Sequence, residues 1–253
     1  MTVGPAVWLR NTLRNKFRRG DSAPAFDRLC VISATRLNEK AFWMGSALGQ
    51  SLAAVRDDPR LGFHIAFENT AGLPQVYNAK LRETGKRDVA LFIHDDIWLD
   101  DPRWREKIFE ALGRYDIVGL AGNRRRVKRQ PAWLYTHIEN GRFWLDAENL
   151  SGAVAHGKQP RGEVTQFGPS PAACELLDGL FIAARCDMLI ASGVGFDERF
   201  KFHFYDLDFC RSARAAGLSI GTWPIEVTHQ STGAFNSPGW QDGLARYFGK
   251  WLT

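Results

Sequence analysis

The sequence predicts an α/β domain built on a central, mostly parallel sheet, and three observations carry that expectation. Short apolar runs rich in branched residues alternate with stretches of helical periodicity, an order that puts helices on both faces of the sheet. The third apolar run leads straight into His94-Asp95-Asp96, and sheets of this kind bind ligands at the carboxyl ends of their strands. The 253 residues, 45% hydrophobic and 24% charged, suffice for one well-buried domain and exclude collagen-like, disordered and disulfide-scaffold classes.

Taken in order, the chain opens with a basic amphipathic segment, residues 1–25. Trp8, Leu9, Leu13 and Phe17 recur at helical spacing, with Arg10, Arg14 and Arg18 on another face. Such a helix can rest on anionic lipid, pack on its own domain, or be a basic arm. Before Gly20 there are five basic residues and no acid, which accounts for the whole net charge of +5. With the body neutral and no reading motif present, nucleic-acid binding is not expected.

Residues 26–253 form the main domain. Residues 29–34 read as a buried strand, followed by a helix through about Arg56. Residues 62–67 alternate like a second strand, 74–84 look helical, and 89–93 form the third strand. Asp101 is the expected N-cap and Pro102 the first position of a helix through Leu112. A strand follows at 117–120. From Asn123 to about Glu175 the composition changes, with Arg124, Arg125, Arg126, Lys128 and Arg129 clustered and Gly, Pro and isolated aromatics after them, so this stretch reads as an insert. Residues 176–185 are a strand interrupted at Asp178-Gly179. A helix near Met188, a loop over 193–200, a helix over 205–216 and a last strand over 219–227 complete the pattern.

Cys30, Cys174, Cys186 and Cys210 lie far apart without metal-type spacing, and Cys30, Cys186 and Cys210 sit in apolar runs, as buried thiols do. No secretory signal and no apolar run of about 18 residues is present, so a cytoplasmic location is expected, at the inner membrane face if residues 7–19 meet lipid.

The chemistry-bearing residues are acids at element ends. Adjacent carboxylates resist joint ionisation unless a cation compensates them. Oxygen-rich ligation of that kind suits Mg²⁺ or Mn²⁺ carrying phosphate oxygens, whereas a plain turn cap is the alternative role for Asp95 and Asp96. In the run 204–211, Asp206 stands where a loop meets a helix among aromatic rings that would raise its basicity, as a general base requires. Asp208, on the same helix as Arg211 and Arg214, fits a structural anchor. His229 follows the final strand, within reach of a metal or phosphate.

With His94-Asp95-Asp96, then Asp178-Gly179, then Tyr205-Asp206-Leu207-Asp208 and His229 in that order, the chain resembles the GT-A glycosyltransferases of family 2 type, in particular the streptomycin-biosynthesis-type glycosyltransferase-2-like domain. The likeness covers about residues 29–239. It implies a single nucleotide-binding, Rossmann-like domain with an inserted acceptor-side segment. It places Ser33, Thr35 and Arg36 at the nucleotide-binding start, Glu68 and Asn69 at the base, and Asn78 near the nucleotide. It makes Asp95 the ribose contact, Asp96 and His229 the ligands of a divalent metal (Mn or Mg), and Asp206 the catalytic base. Asp178 and Gly179, with Trp133 and Trp240, fall on the acceptor side. His94-Asp95-Asp96 departs from the spaced acids of a strict DXD element.

The activity this implies is transfer of a sugar from a nucleoside diphosphate sugar to an acceptor hydroxyl, with inversion and metal assistance, in bacterial polysaccharide or glycan synthesis. Trp133, Tyr135, Phe143 and Trp144 offer either a stacking platform for an acceptor or core packing. Arg124 to Arg129 suit an anionic ligand or a solvated loop. The rivals are a sugar-nucleotide nucleotidyltransferase, which would open with a Gly-rich phosphate loop that Ser33-Ala34-Thr35-Arg36 lacks, and a catalytically silent carbohydrate- or membrane-binding module.

Overall fold

A computed structural model of the chain describes residues 26–231 and 235–251. The amphipathic segment expected over 7–19 lies outside the described residues.

The first half alternates as expected: β1 (Arg28–Ala34), α1 (Glu39–Gly45), α2 (Ala47–Ala53), β2 (Leu61–Ala66), α3 (Leu73–Leu81) and β3 (Asp88–Ile93). Leu29, Cys30, Val31 and Ile32 are all buried, because both faces of β1 are covered. The helix expected through Arg56 is two helices. Ser46 takes an extended conformation between them, and its hydroxyl accepts from the Gly49 amide at 2.9 Å to cap α2. Only glycine fits at 49, where a Cβ would stand 2.1 Å from the Phe42 carbonyl oxygen.

The chain continues through β4 (Ile97–Leu99), α4 (Trp104–Leu112), β5 (Ile117–Gly119), β6 (Ala121–Asn123), β7 (Tyr135–Glu139), β8 (Arg142–Leu145), β9 (Leu150–His156), β10 (Glu163–Gly168), β11 (Ala172–Ala173), β12 (Leu176–Leu177) and β13 (Phe181–Arg185). It ends with α5 (Cys186–Ser192), α6 (Tyr205–Ala215), β14 (Ile220–Thr222), β15 (Val227–His229) and α7 (Pro238–Lys250). Helix α4 starts at Trp104, later than expected. Asp101 instead closes a turn, its carboxylate accepting from the Arg103 amide at 2.9 Å and its carbonyl from the Trp104 amide at 3.1 Å.

The main sheet has seven strands in the order β11-β14-β5-β13-β3-β1-β2. Its β2-β1-β3 half is parallel, as is the β5-β14 pair, but β13 runs antiparallel between β3 and β5, so the sheet is mixed. After β5 the chain leaves at the carboxyl end to build the second sheet. It returns through Asp178-Gly179 at the same end, so β13 must run backwards.

The second sheet, β12-β6-β9-β15-β4 with β10 paired to β9, takes β9 and β10 from the stretch expected as an insert over 123–175 and its other strands from outside it. Strands make up nearly half of that stretch, and β9 is the middle of the sheet. The single last strand expected over 219–227 is two strands in different sheets, β14 and β15, because Pro224 between them has no amide to continue a ladder. This switch pairs His229 with Ile97 on one side and His156 on the other, which brings the chain end of β15 beside the end of β3.

Helix α7 was not expected, although Ser237 and Pro238 are a start signal; the Ser237 hydroxyl accepts from the Trp240 amide at 3.2 Å. Asp208 ties it down, accepting from Lys250 Nζ at 2.9 Å and Trp251 Nε1 at 2.7 Å. The anchoring role expected of Asp208 is met by these partners, not by its own helix. All four cysteines are buried and free, and burial pushes the thiols of Cys174 and Cys186 up to about 11.

Candidate active site

Three backbone hydrogen bonds fix the turn that follows β3. The His94 amide donates to Leu180, while the Asp95 and Asp96 carbonyls accept from the amides of Leu48 and Gln230, at 3.0 to 3.1 Å. Elements from both sheets and from α2 therefore hold these side chains in place. Asp96 Oδ2 lies 3.3 Å from His229 Nε2, and Ser231 Oγ is 2.9 Å from the same nitrogen. Burial works against ionisation of Asp96, but the hydrogen bond and charge of His229 prevail and hold its pKa at about 2. Burial likewise opposes a charged His229, and Asp96 outweighs it and raises the imidazole's pKa.

His94, Asp96 and His229 each present a ligand atom within 4.8 Å of the other two. Asp96 and His229 are thus brought together as expected, and His94 joins them. Two imidazoles and a carboxylate fit a divalent metal ion, so His94 adds a second nitrogen to the mixed pair expected from Asp96 and His229. Asp95 is half-buried, and the partial loss of water raises its pKa against the opposing contact with Thr35.

The proposed nucleotide-side residues divide. Thr35 and Asn69 stitch the loops after β1 and β2: the Thr35 amide donates to Ala66, the Asn69 amide to Thr35 and the Glu68 amide to Leu37, all at 2.8 to 2.9 Å. Arg36 and Glu68 are exposed on those loops. Ser33 is fully buried, so it supports the loop from beneath and does not line it. Asn78 is removed from the set. Its amide donates to the Phe196 carbonyl at 2.8 Å and to Glu198 at 3.0 Å and accepts from the Phe196 amide at 2.9 Å, which makes it a brace between α3 and the loop after α5.

Across the site, α6 begins from Phe204, whose φ of 67° is in the left-handed region that bulky residues avoid. That sharp entry directs Tyr205 and Asp206 toward the β12–β13 loop. Asp206 Oδ2 accepts from the Gly179 amide at 3.0 Å, and Tyr205 Oη donates to the Gly179 carbonyl at 2.8 Å. Burial, then the negative charge of Asp178, pushes Asp206 up to about 7 despite the Gly179 amide. That is the poise a base working near neutrality needs. Asp178 also acts electrostatically on His94, His156 and His229, so the acids far apart in sequence share one site.

Of the two roles open to the aromatic residues, Trp133 and Trp240, expected on the acceptor side, take packing, while Trp144 is exposed. Trp133 is buried and donates its indole N–H to Asp178 at 2.8 Å, and Trp240 is buried against Phe143 and Phe204. Neither is an open stacking face. Phe202 is: it is 51% exposed and stacks on His94 with ring centroids 5.9 Å apart. Arg124 donates to the Glu148 carbonyl, Arg125 forms a two-point pair with Asp146 at 2.7 and 2.8 Å, and Arg129 lies over Phe248. These three are engaged internally.

The sequence assigned no role to Phe202 or His156, and Tyr205 entered only as part of the 205–208 run. The signal available for Tyr205 was its place beside Asp206; nothing in the sequence pointed to the other two.

A mixed α/β fold with a metal-type triad at its strand ends and a high-pKa carboxylate across from it defines an enzyme-like ligand site. The sequence profile of the Glycosyltransferase like family matches residues 63–233, about two thirds of the chain, and the chain belongs to that family. The matched span contains His94, Asp95, Asp96, Asp178, Asp206 and His229. No curated protein matches the sequence. Among solved structures, the chain is similar to S. aureus TarS 1–349, with 15% identity, a TM-score of 0.47, and 89% of this chain and 65% of that one covered. It is also similar to mannosyltransferase PcManGT from Pyrobaculum calidifontis, in complex with GDP-Man and Mn²⁺, with 14% identity, a TM-score of 0.43, and 98% and 70% covered. The catalytic domain of Drosophila β1,4-galactosyltransferase 7, in complex with xylobiose, has 10% identity and a TM-score of 0.47, with 86% and 79% covered. The chain thus spans slightly less than two thirds of the TarS fragment.

Proposed function

We propose that this protein transfers a sugar from a nucleoside diphosphate sugar to an acceptor hydroxyl with inversion. The observation that supports the reading above all is the pairing of a poised carboxylate, Asp206, with the His94, Asp96, His229 triad through Asp178-Gly179 and Tyr205. The loops carrying Thr35, Arg36, Glu68 and Asn69 would receive the nucleoside, with Asp95 toward the ribose. Asp96, His229 and His94 would hold a divalent cation, and the imidazoles favour Mn²⁺ over the oxygen-preferring Mg²⁺. When bound, that cation would supply Lewis-acid stabilisation of charge on the diphosphate.

Asp206 takes the proton of the acceptor hydroxyl. The acceptor oxygen bonds to the anomeric carbon as that carbon's bond to the diphosphate breaks on the opposite face, and the nucleoside diphosphate leaves. Asp178, fixed by the Trp133 indole and the Leu180 amide, orients the acceptor, and Phe202 offers an apolar face to a sugar ring. The acceptor this fits is a glycan or another hydroxyl compound. The test is release of nucleoside diphosphate from a panel of nucleotide sugars by the purified protein with Mn²⁺. Slow release that disappears in Asp96→Ala is expected. Binding of sugars without any turnover would support a silent module, and formation of sugar nucleotides from nucleoside triphosphates would support a nucleotidyltransferase; either overturns the proposal.

A further inference from the structure

Tyr205 is buried, at 2% exposure; its hydroxyl lies 2.8 Å from the Gly179 carbonyl oxygen and 2.9 Å from His94 Nε2, and the Tyr77 hydroxyl, which has a proton of its own to give, also adjoins it. A carbonyl can only accept, so the single phenolic proton goes to Gly179. The oxygen then faces His94 as an acceptor, and the hydrogen of that second bond must belong to His94 Nε2. A neutral imidazole carrying hydrogen on Nε2 has its lone pair on Nδ1. The phenol ring is itself held, with Tyr77 and Phe196 each 5.9 Å away between centroids, and Phe202 stacks on the His94 ring.

We propose that Tyr205 is a positioning residue that fixes His94 as the Nε2–H tautomer, leaving Nδ1 as the metal-binding atom, and ties this ligand to the loop that carries the base's hydrogen-bond donor. The inference deepens the proposed function and rests on its assignment of the metal triad. The same phenol grips Gly179, whose amide donates to Asp206, so one side chain joins the two halves of the site. Glycine is required at that junction: a Cβ at 179 would lie 2.5 Å from Tyr205 Oη and 2.9 Å from Asp206 Cβ. Partners that orient a ligating histidine in this way set both its tautomer and its basicity.

The test begins with the wild-type protein without added metal, by ¹⁵N NMR of labelled histidine, with the His94 signals identified by their loss in His94→Gln. Hydrogen on Nε2 is expected. Hydrogen on Nδ1 overturns the proposal without recourse to any Tyr205 variant. Tyr205→Phe keeps the ring and removes the hydroxyl. It should give a mixture of tautomers and a Mn²⁺ dissociation constant roughly 10- to 100-fold higher by calorimetry, whereas a space-filling role for Tyr205 leaves both unchanged and sinks the idea. A wild-type protein that binds no Mn²⁺ would overturn the metal reading of the site, while the tautomer comparison would still decide the role of Tyr205.

Discussion

Replacing Asp206 with asparagine should move activity and stability in opposite directions. Burial and the Asp178 charge raise this carboxyl from 3.8 to about 7. Between these values the folded protein holds a proton that the unfolded chain releases, so stability falls as pH climbs from about 4 and levels off above about 7. At ~1.4 kcal/mol per pKa unit the upper bound on that loss is ~4 kcal/mol. Asp206 keeps a partial opening to solvent, which screens the charge and brings the expectation nearer ~2 kcal/mol. Asparagine has no charge to bury, so Asp206→Asn should gain on the wild type as pH rises, with the gap in urea-unfolding free energy widening from pH 4 to pH 8. Turnover should fall roughly 10²- to 10⁴-fold, the worth of a well-placed base, with donor affinity little changed. In the wild type, kcat/KM should rise with pH to a plateau above about 7. An activity limb near 4, or a variant whose stability relative to the wild type does not grow with pH, would refute both the environment and the role assigned to Asp206.

Other perturbations follow from the same geometry. Gly179→Ala forces a methyl group against Tyr205 and Asp206, and should cost ~1–3 kcal/mol in chemical unfolding and lower turnover along with it. Trp133→Phe retains the ring packing on Phe167 but removes the donor to Asp178; a loss of ~1.5–3 kcal/mol is expected in the same assay, together with a higher acceptor KM, and an unchanged protein would dismiss that bond. For the amphipathic stretch over 7–19, sedimentation with vesicles containing anionic lipid should pull down the full chain at low salt, and the substitutions Arg10→Ala, Arg14→Ala and Arg18→Ala together should abolish this.

The strands β1, β2 and β3 could be read from sequence because runs such as Leu29-Cys30-Val31-Ile32 are buried on both faces, and an unbroken branched run has few other ways to lie. The residues of the candidate site were legible for a related reason: His94-Asp95-Asp96 and His229 stand where a strand stops and Asp206 where a helix starts, and a carboxylate at such a place is costly without a purpose. The strands between Asn123 and Glu175 were not legible, whereas the interrupted strand expected over 176–185 is present as β12 and β13. Glu163–Gly168 owes its form to Leu150–His156, since the exposed polar residues of β10 pair only with β9, which is itself held by β6 and β15.

Tertiary structure alone decided how the ends of those elements were combined. Asn78 and Trp133 have side chains suited to binding, yet each is occupied by a partner 118 or 45 residues away, and no local pattern encodes such a distance. The Tyr205 hydroxyl acquires its direction only because Gly179 and His94 arrive on either side of it. Local composition fixes where the chain must be buried and where it must turn. Which donor meets which acceptor depends on the crossing of two sheets at Pro224 and Asp178, and hydrogen bonds act only at the distance that crossing sets.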